Sequence, residues 1–108
     1  MKYSTWNEIN NIEKKNTIWA CAFDYDVEKQ RFSLRQEPVI GLIVKNKFHQ
    51  LKKDGYSLRA NGVDVYSRVY ADTKAECDEL FVELMNKKIS YLQDCIEMIN
   101  KEKRDYKI

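Results

Sequence analysis

Between Val63 and Ile99 the spacing of apolar residues changes period within two positions, and few folds accommodate such a change. The run Val63-Asp-Val-Tyr-Ser-Arg-Val-Tyr-Ala71 alternates, with Val63, Val65, Ser67, Val69 and Ala71 on one face and Asp64, Tyr66, Arg68 and Tyr70 on the other. Alternation of this kind marks a strand with one covered face. After it the sequence predicts a helix over residues 73–100, with Asp72 or Thr73 as cap and Glu76 as its capping-box partner. Acidic residues crowd its first turns, where the helix macrodipole favours them. Cys77, Leu80, Phe81 and Leu84 form one apolar stripe, and the smooth strand face is expected to pack against the helix. Val82, Met85, Ile89, Leu92, Ile96 and Ile99 step by 3, 4, 3, 4 and 3, a heptad-like seam.

Such a helix is roughly 45 Å long at 1.5 Å per residue, more than the sheet of a small domain covers. The far half of the seam therefore needs a cover. An N-terminal helix folding back is the expectation, and a second copy of the long helix, making a homodimer, is the alternative. The run 101–108, nearly all charged, is expected to fray into a tail.

Upstream, Trp6, Ile9 and Ile12 follow Ser4-Thr5, and Thr5-x-x-Glu8 fits a capping box, which predicts a short amphipathic helix over residues 5–15. The sheet is expected to occupy residues 17–71. Trp19, Cys21, Phe23, Tyr25 and Val27 share one strand face, with Ala20, Ala22, Asp24 and Asp26 on the other. Val27 to Gln30 reads as a turn, and Phe32 and Leu34 restart the alternation as a hairpin partner. Pro38 lacks a backbone donor, so it interrupts that strand or sits at an edge or bulge. Val39 to Val44 is apolar on both faces, as in a central strand. Whether residues 39–53 form one strand or two stays open. Asp54-Gly55 and Asn61-Gly62 bound a polar loop. The fold class is α+β: a short N-terminal helix, a four- or five-stranded, mostly antiparallel sheet, and a long C-terminal helix across one face.

At 108 residues the chain is a single domain. Its three glycines, Gly41, Gly55 and Gly62, stand apart, so no phosphate-cradling loop is present and dinucleotide or P-loop chemistry is set aside. The start has no apolar targeting core and no apolar run is long enough for a bilayer, which predicts a cytoplasmic protein. Cys21, Cys77 and Cys95 are odd in number, unclustered and set among apolar neighbours, and read as buried thiols in a reducing compartment.

Catalytic signals are weak. His49 is the only histidine and no nucleophile elbow accompanies it. Metal ligation lacks any ligand spacing. Asp24 and Asp26, with Glu28 or Glu37 nearby, have the composition of a magnesium site, yet two aspartates beside a hairpin turn ordinarily face water. The expectation is no enzyme, no cofactor and no metal.

Charge is more informative. From Lys45 to Arg59 five basic residues stand against one acid, and from Asp72 to Glu83 five acids stand against one lysine. Lys45, Lys47, Lys52, Lys53, Arg59 and Arg68, interleaved with Phe48, Tyr56, Tyr66 and Tyr70, have the character of a face that grips phosphates and stacks on bases. Asp72, Glu76, Glu79 and Glu83 fall on roughly one helix face.

The segment Ser67-Arg-Val-Tyr-Ala-Asp-Thr-Lys-Ala-Glu-Cys77 resembles the end of the arm-type DNA-binding domain of tyrosine recombinases. That resemblance implies a sheet packed on one helix and inserted into a DNA groove. As a short, Lys/Asn/Ile-rich domain without a catalytic signature, the chain also looks like the accessory proteins of phages and mobile elements, anti-CRISPR inhibitors among them. This second likeness implies a binder that blocks a host effector protein such as a CRISPR nuclease. Its partner-binding surface would be the acidic row Asp72, Glu76, Glu79 and Glu83, with a nucleic-acid-binding module as the alternative.

Overall fold

The computed structural model describes residues 1–52, 55–56 and 68–106. The elements are β1 (Lys2–Tyr3), two 3-10 turns at Trp6–Glu8 and Ile12–Lys14, β2 (Thr17–Asp26), β3 (Arg31–Val44), β4 (Lys47–Lys52), β5 (Gly55–Tyr56), β6 (Arg68–Ala71) and the helix α1 (Lys74–Asp105). Five strands join one antiparallel sheet in the order β1-β6-β2-β3-β4, and β5 extends it by pairing with the end of β4. This is the α+β architecture that the change of period implies, with one long helix on one face.

Local chemistry explains the turns. Asp26 Oδ1 accepts from the Lys29 N–H at 3.1 Å and Gln30 takes a positive φ of 52°, closing the β2–β3 hairpin over Val27 to Gln30. Lys45 and Asn46 both have positive φ, 49° and 60°, which is the two-residue turn that matches strand twist. Residues 39–52 are consequently two strands. Pro38 sits at a bulge: Ala20 pairs with Val39 but Ala22 with Gln36, leaving one extra residue on β3 where a missing donor is harmless. Gly55-Tyr56, expected in a loop, pairs as a strand instead, while the expected strand residues 63–67 lie outside the described residues.

The predicted helix over residues 5–15 is corrected to two single 3-10 turns. Asn11 adopts a left-handed φ of 54°, a conformation asparagine tolerates and a helix interior does not. The capping box does not form: Glu8 accepts from the N–H of Ser4, one residue before the Thr5 cap, at 2.8 Å, and the Thr5 side chain makes no cap bond. The apolar residues also keep their task. Trp6 and Ile9 are buried, with Ile12 beside them, in a cluster with Tyr3, Ile18, Ala20, Phe48 and Tyr70. Edge-on rings join it, Trp6 to Tyr70 at 5.0 Å and Phe48 to Tyr70 at 6.0 Å.

This cluster lies on the sheet face away from α1. A separate cluster on the helix side contains Cys21, Val69, Ala71, Cys77 and Leu80, with Trp19, Phe81 and Leu84 partly buried against it. The alternation of β2 thus splits as read, Ala20 to one core and Cys21 to the other. It follows that the N-terminal segment covers the wrong side of the sheet to shield the helix seam, and that expectation is overturned.

Thr73 caps α1, its hydroxyl accepting from the Glu76 N–H at 3.2 Å. The helix runs to Asp105, so the run 101–105 is helical rather than a frayed tail; its i, i+4 rhythm of charges and the basic residues Lys103 and Arg104 in the last turn suit a helix C-terminus. The molecule measures 63 × 25 × 21 Å, and its radius of gyration of 17.7 Å exceeds the roughly 13 Å of a compact chain this long. The excess is the far half of α1. Among the described residues no helix is long and apolar enough to cross a membrane.

The Phe48 ring packs on Gly41, and a Cβ there would collide with that ring and the His49 carbonyl. Gly41→Ala is expected to lower stability by about 1–3 kcal/mol, since a fully buried ring and a strand carbonyl must both shift. Denaturant titration checks it: the midpoint falls while the slope holds.

Candidate functional site

The acidic row is the best-defined electrostatic feature, and the structure places it against the N-terminal strand. Asp72 follows β6 directly. Its Oδ2 accepts from the buried Tyr3 hydroxyl at 2.9 Å and lies 3.2 Å from the Met1 ammonium, and its Oδ1 lies 3.0 Å from Lys15 Nζ. Its N–H donates to the Met1 carbonyl at 3.0 Å. The same ammonium meets Glu76 at 2.6 Å, and Lys2 Nζ bridges Glu79 at 2.8 Å and Glu83 at 3.1 Å. All four acids are thus brought together, and each has an intramolecular cation.

Burial works against the ionised Asp72, but the contacts with Lys15, Tyr3 and the amino terminus outweigh it and hold the carboxyl below its usual range. Glu76 is held low by the amino terminus and by Thr73. Lys2 and Lys15 are raised, chiefly by Glu79 and by Asp72 respectively. Asp72 and Glu76 serve to pin β1 onto the helix start. Glu79 and Glu83 are more exposed and remain presented to solvent.

Past Glu83 the ridge continues. Asp94 and Glu97 are exposed on the projecting half, with Tyr91 and Met98 alongside. At about 100° per residue, Glu79, Glu83, Asp94 and Glu97 share the flank turned away from the sheet. Glu83, Lys87, Ser90, Tyr91 and Asp94 line a shallow surface depression there, and Lys88 lies over the Tyr91 ring at 5.2 Å. The sequence reading missed Tyr91, Asp94, Glu97 and Met98; the helical wheel continued beyond the capping turns would have found them.

The basic face fares differently. Lys45 and Lys47 are exposed at the β3–β4 turn and Lys52 ends β4. Lys53, Arg59 and Tyr66 lie outside the described residues. Arg68 and Tyr70 are corrected to core residues, Arg68 only 8% exposed and Tyr70 almost fully enclosed, and Phe48, expected on the same face, is buried as well. Their side of β6 is covered by Trp6 and Phe48, so neither is displayed. The Arg68 guanidinium sits 5.6 Å from the Phe48 ring centroid, and among the described residues its Nε and Nη1 have no hydrogen-bond partner, nor does the Tyr70 hydroxyl. Burial raises the Tyr70 pKa against the opposing pull of Arg68.

Asp24 hydrogen-bonds Ser33 at 2.9 Å and meets Lys88 Nζ at 3.4 Å, while Asp26 closes the hairpin; among the described residues no group of acids, histidines or cysteines is arranged to hold a metal ion. The Cys21 thiol donates to the Cys77 carbonyl at 3.5 Å, and that neighbour together with burial pushes the Cys77 thiol far above its usual value. Cys77 is an inert core group, buried like Cys21 as expected, whereas Cys95, on the half of α1 beyond the sheet, is part-exposed rather than buried. No protein-family model, no curated protein and no solved structure matches this chain.

Two expectations follow. Asp72 titrates lower folded than unfolded, so its contribution is present above about pH 4 and disappears as pH falls through the folded value. Asp72→Asn should cost about 1–2 kcal/mol at neutral pH and flatten the acid limb of a plot of Tm against pH. Arg68→Met, which removes a buried guanidinium while keeping an unbranched apolar stem against the Phe48 ring, is expected to be neutral or stabilising by up to about 4 kcal/mol in the same melts.

Proposed function

We propose that the protein is a non-enzymatic binding protein that occludes a surface of a host effector, the mode implied by its likeness to phage and mobile-element inhibitors of the anti-CRISPR kind. The observation that carries this reading is the projecting half of α1, a stiff rod bearing exposed side chains well past the sheet that supports it. Exposed apolar groups rimmed by charge are characteristic of protein contact sites.

The contact flank is Glu79, Glu83, Asp94 and Glu97, with Tyr91 and Met98 as anchors. Carboxylates on that flank complement a basic, nucleic-acid-binding groove, and an aromatic and a thioether supply desolvated contact of the kind that dominates interface energies. Asp72 and Glu76 act behind it, aligning β1 so that Lys2 holds Glu79 and Glu83 in place. Nucleic-acid binding through the basic face draws less support, because Arg68 and Tyr70 are enclosed.

The test is inhibition of a purified RNA-guided nuclease from the host by the intact chain. Tyr91→Ala combined with Asp94→Lys should weaken binding and inhibition at least about tenfold, equal to 1.4 kcal/mol, and leave the Tm within a degree or so. No association of the unaltered chain with that nuclease, or unchanged inhibition by the double variant, overturns the reading.

A further inference from the structure

The seam residues lie on a different flank of α1. At about 100° per residue Val82, Met85, Ile89, Leu92, Ile96 and Ile99 are centred roughly a quarter-turn from the stripe that meets the sheet. Lys2 of β1 reaches Glu79 and Glu83, so the acidic flank faces the β1 edge and the seam faces the β3 side. Ile89 is 51% exposed, Ile96 57% and Ile99 67%. The sheet beneath is also incompletely covered: Ile40 pairs with Trp19 and Leu42 with Thr17, placing them on the helix side of β3, and both remain only partly buried.

We propose that a second copy of this chain fills this space, its helix laid antiparallel along the seam. The seam reads the same in both directions. Reversing one helix sets Val82 against the partner's Ile99, Met85 against the partner's Ile96 and Ile89 against the partner's Leu92, then repeats these contacts by symmetry, so all six residues are used in alternating core layers. Asn86, Gln93 and Asn100 border one side of the seam, placing no like charges in contact.

Charge selects the orientation. The first turns carry Glu76, Asp78, Glu79 and Glu83 against Lys74, and the last carry Lys101, Lys103 and Arg104 against Glu102 and Asp105. An antiparallel pair brings acidic start to basic end and opposes the two macrodipoles; a parallel pair stacks like on like. The shared helix of roughly 27 Å buries on the order of 1,000 Å² in total, the lower bound for a specific interface. The partner's helix end lying over Ile40 and Leu42 adds to it. This pairing is independent of the effector reading's acidic flank, since Glu79, Glu83, Asp94 and Glu97 stay on the side of the helix away from the seam.

Sedimentation equilibrium of the intact chain tests it. The expected mass is twice the 12.9 kDa chain, and Ile89→Glu with Ile96→Glu should halve it while the sheet signal in circular dichroism persists. Direction is read from chains carrying Val82→Cys or Ile99→Cys, each in a Cys95→Ser background. Mixed and oxidised, they should give a disulfide-linked species joining one of each, with little from either alone. A monomer at every concentration up to millimolar, a dimer insensitive to the glutamates, or cross-linking of each variant with itself overturns the proposal.

Discussion

The carboxylate of Asp72 ties together parts of the chain that would otherwise be independent. It stands where the strand stops and the helix starts, and it meets the amino terminus, the Tyr3 hydroxyl and Lys15 at once. Those contacts hold β1 on the edge of β6 and draw the N-terminal segment across the face that α1 leaves uncovered. With Tyr3 in place, Trp6 and Ile9 reach Tyr70, and Tyr70 reaches Phe48, whose ring packs on Gly41, a strand position without a side chain. A single partly buried acid thereby links the junction to the core on the far side of the sheet.

The same clamp changes what the acidic row means. Four acids in the opening turns of a helix look like a displayed surface when read along the sequence. In three dimensions two of them are spent holding the amino-terminal strand, and the other two share one lysine. Cations from Met1, Lys2 and Lys15 arrive over separations of 57 to 81 positions in the chain, a distance at which helical periodicity carries no information. The acidic surface that stays open runs from Glu79 and Glu83 to Asp94 and Glu97, farther along the helix where the sheet no longer reaches.

Parts of the fold were legible because they are local. Thr73 and Glu76 cap the helix as their spacing implies, Val27 to Gln30 turns, and Pro38 marks a bulge. The errors were equally physical. Trp6, Ile9 and Ile12 have helical spacing, but the Asn10-Asn11 pair offers a left-handed turn and divides the segment into two short turns. Arg68 and Tyr70 have the composition of a binding face, yet an arginine stem and a phenol also pack well beneath aromatic rings, and Trp6 and Phe48 enclose them. The sequence could not show which side of the sheet the N-terminal residues would choose.

By itself the sequence determined the order of strand and helix, the excess length of α1 and the heptad spacing that runs past the sheet, because periodicity and capping act within a few residues. Only the tertiary structure decided that the N-terminal segment covers the face opposite the helix, that the acidic row is partly neutralised from within, and that the seam and the half-covered side of β3 adjoin. Each of these depends on pairing between distant segments, where hydrogen-bond register and burial are settled jointly and no local pattern records the outcome.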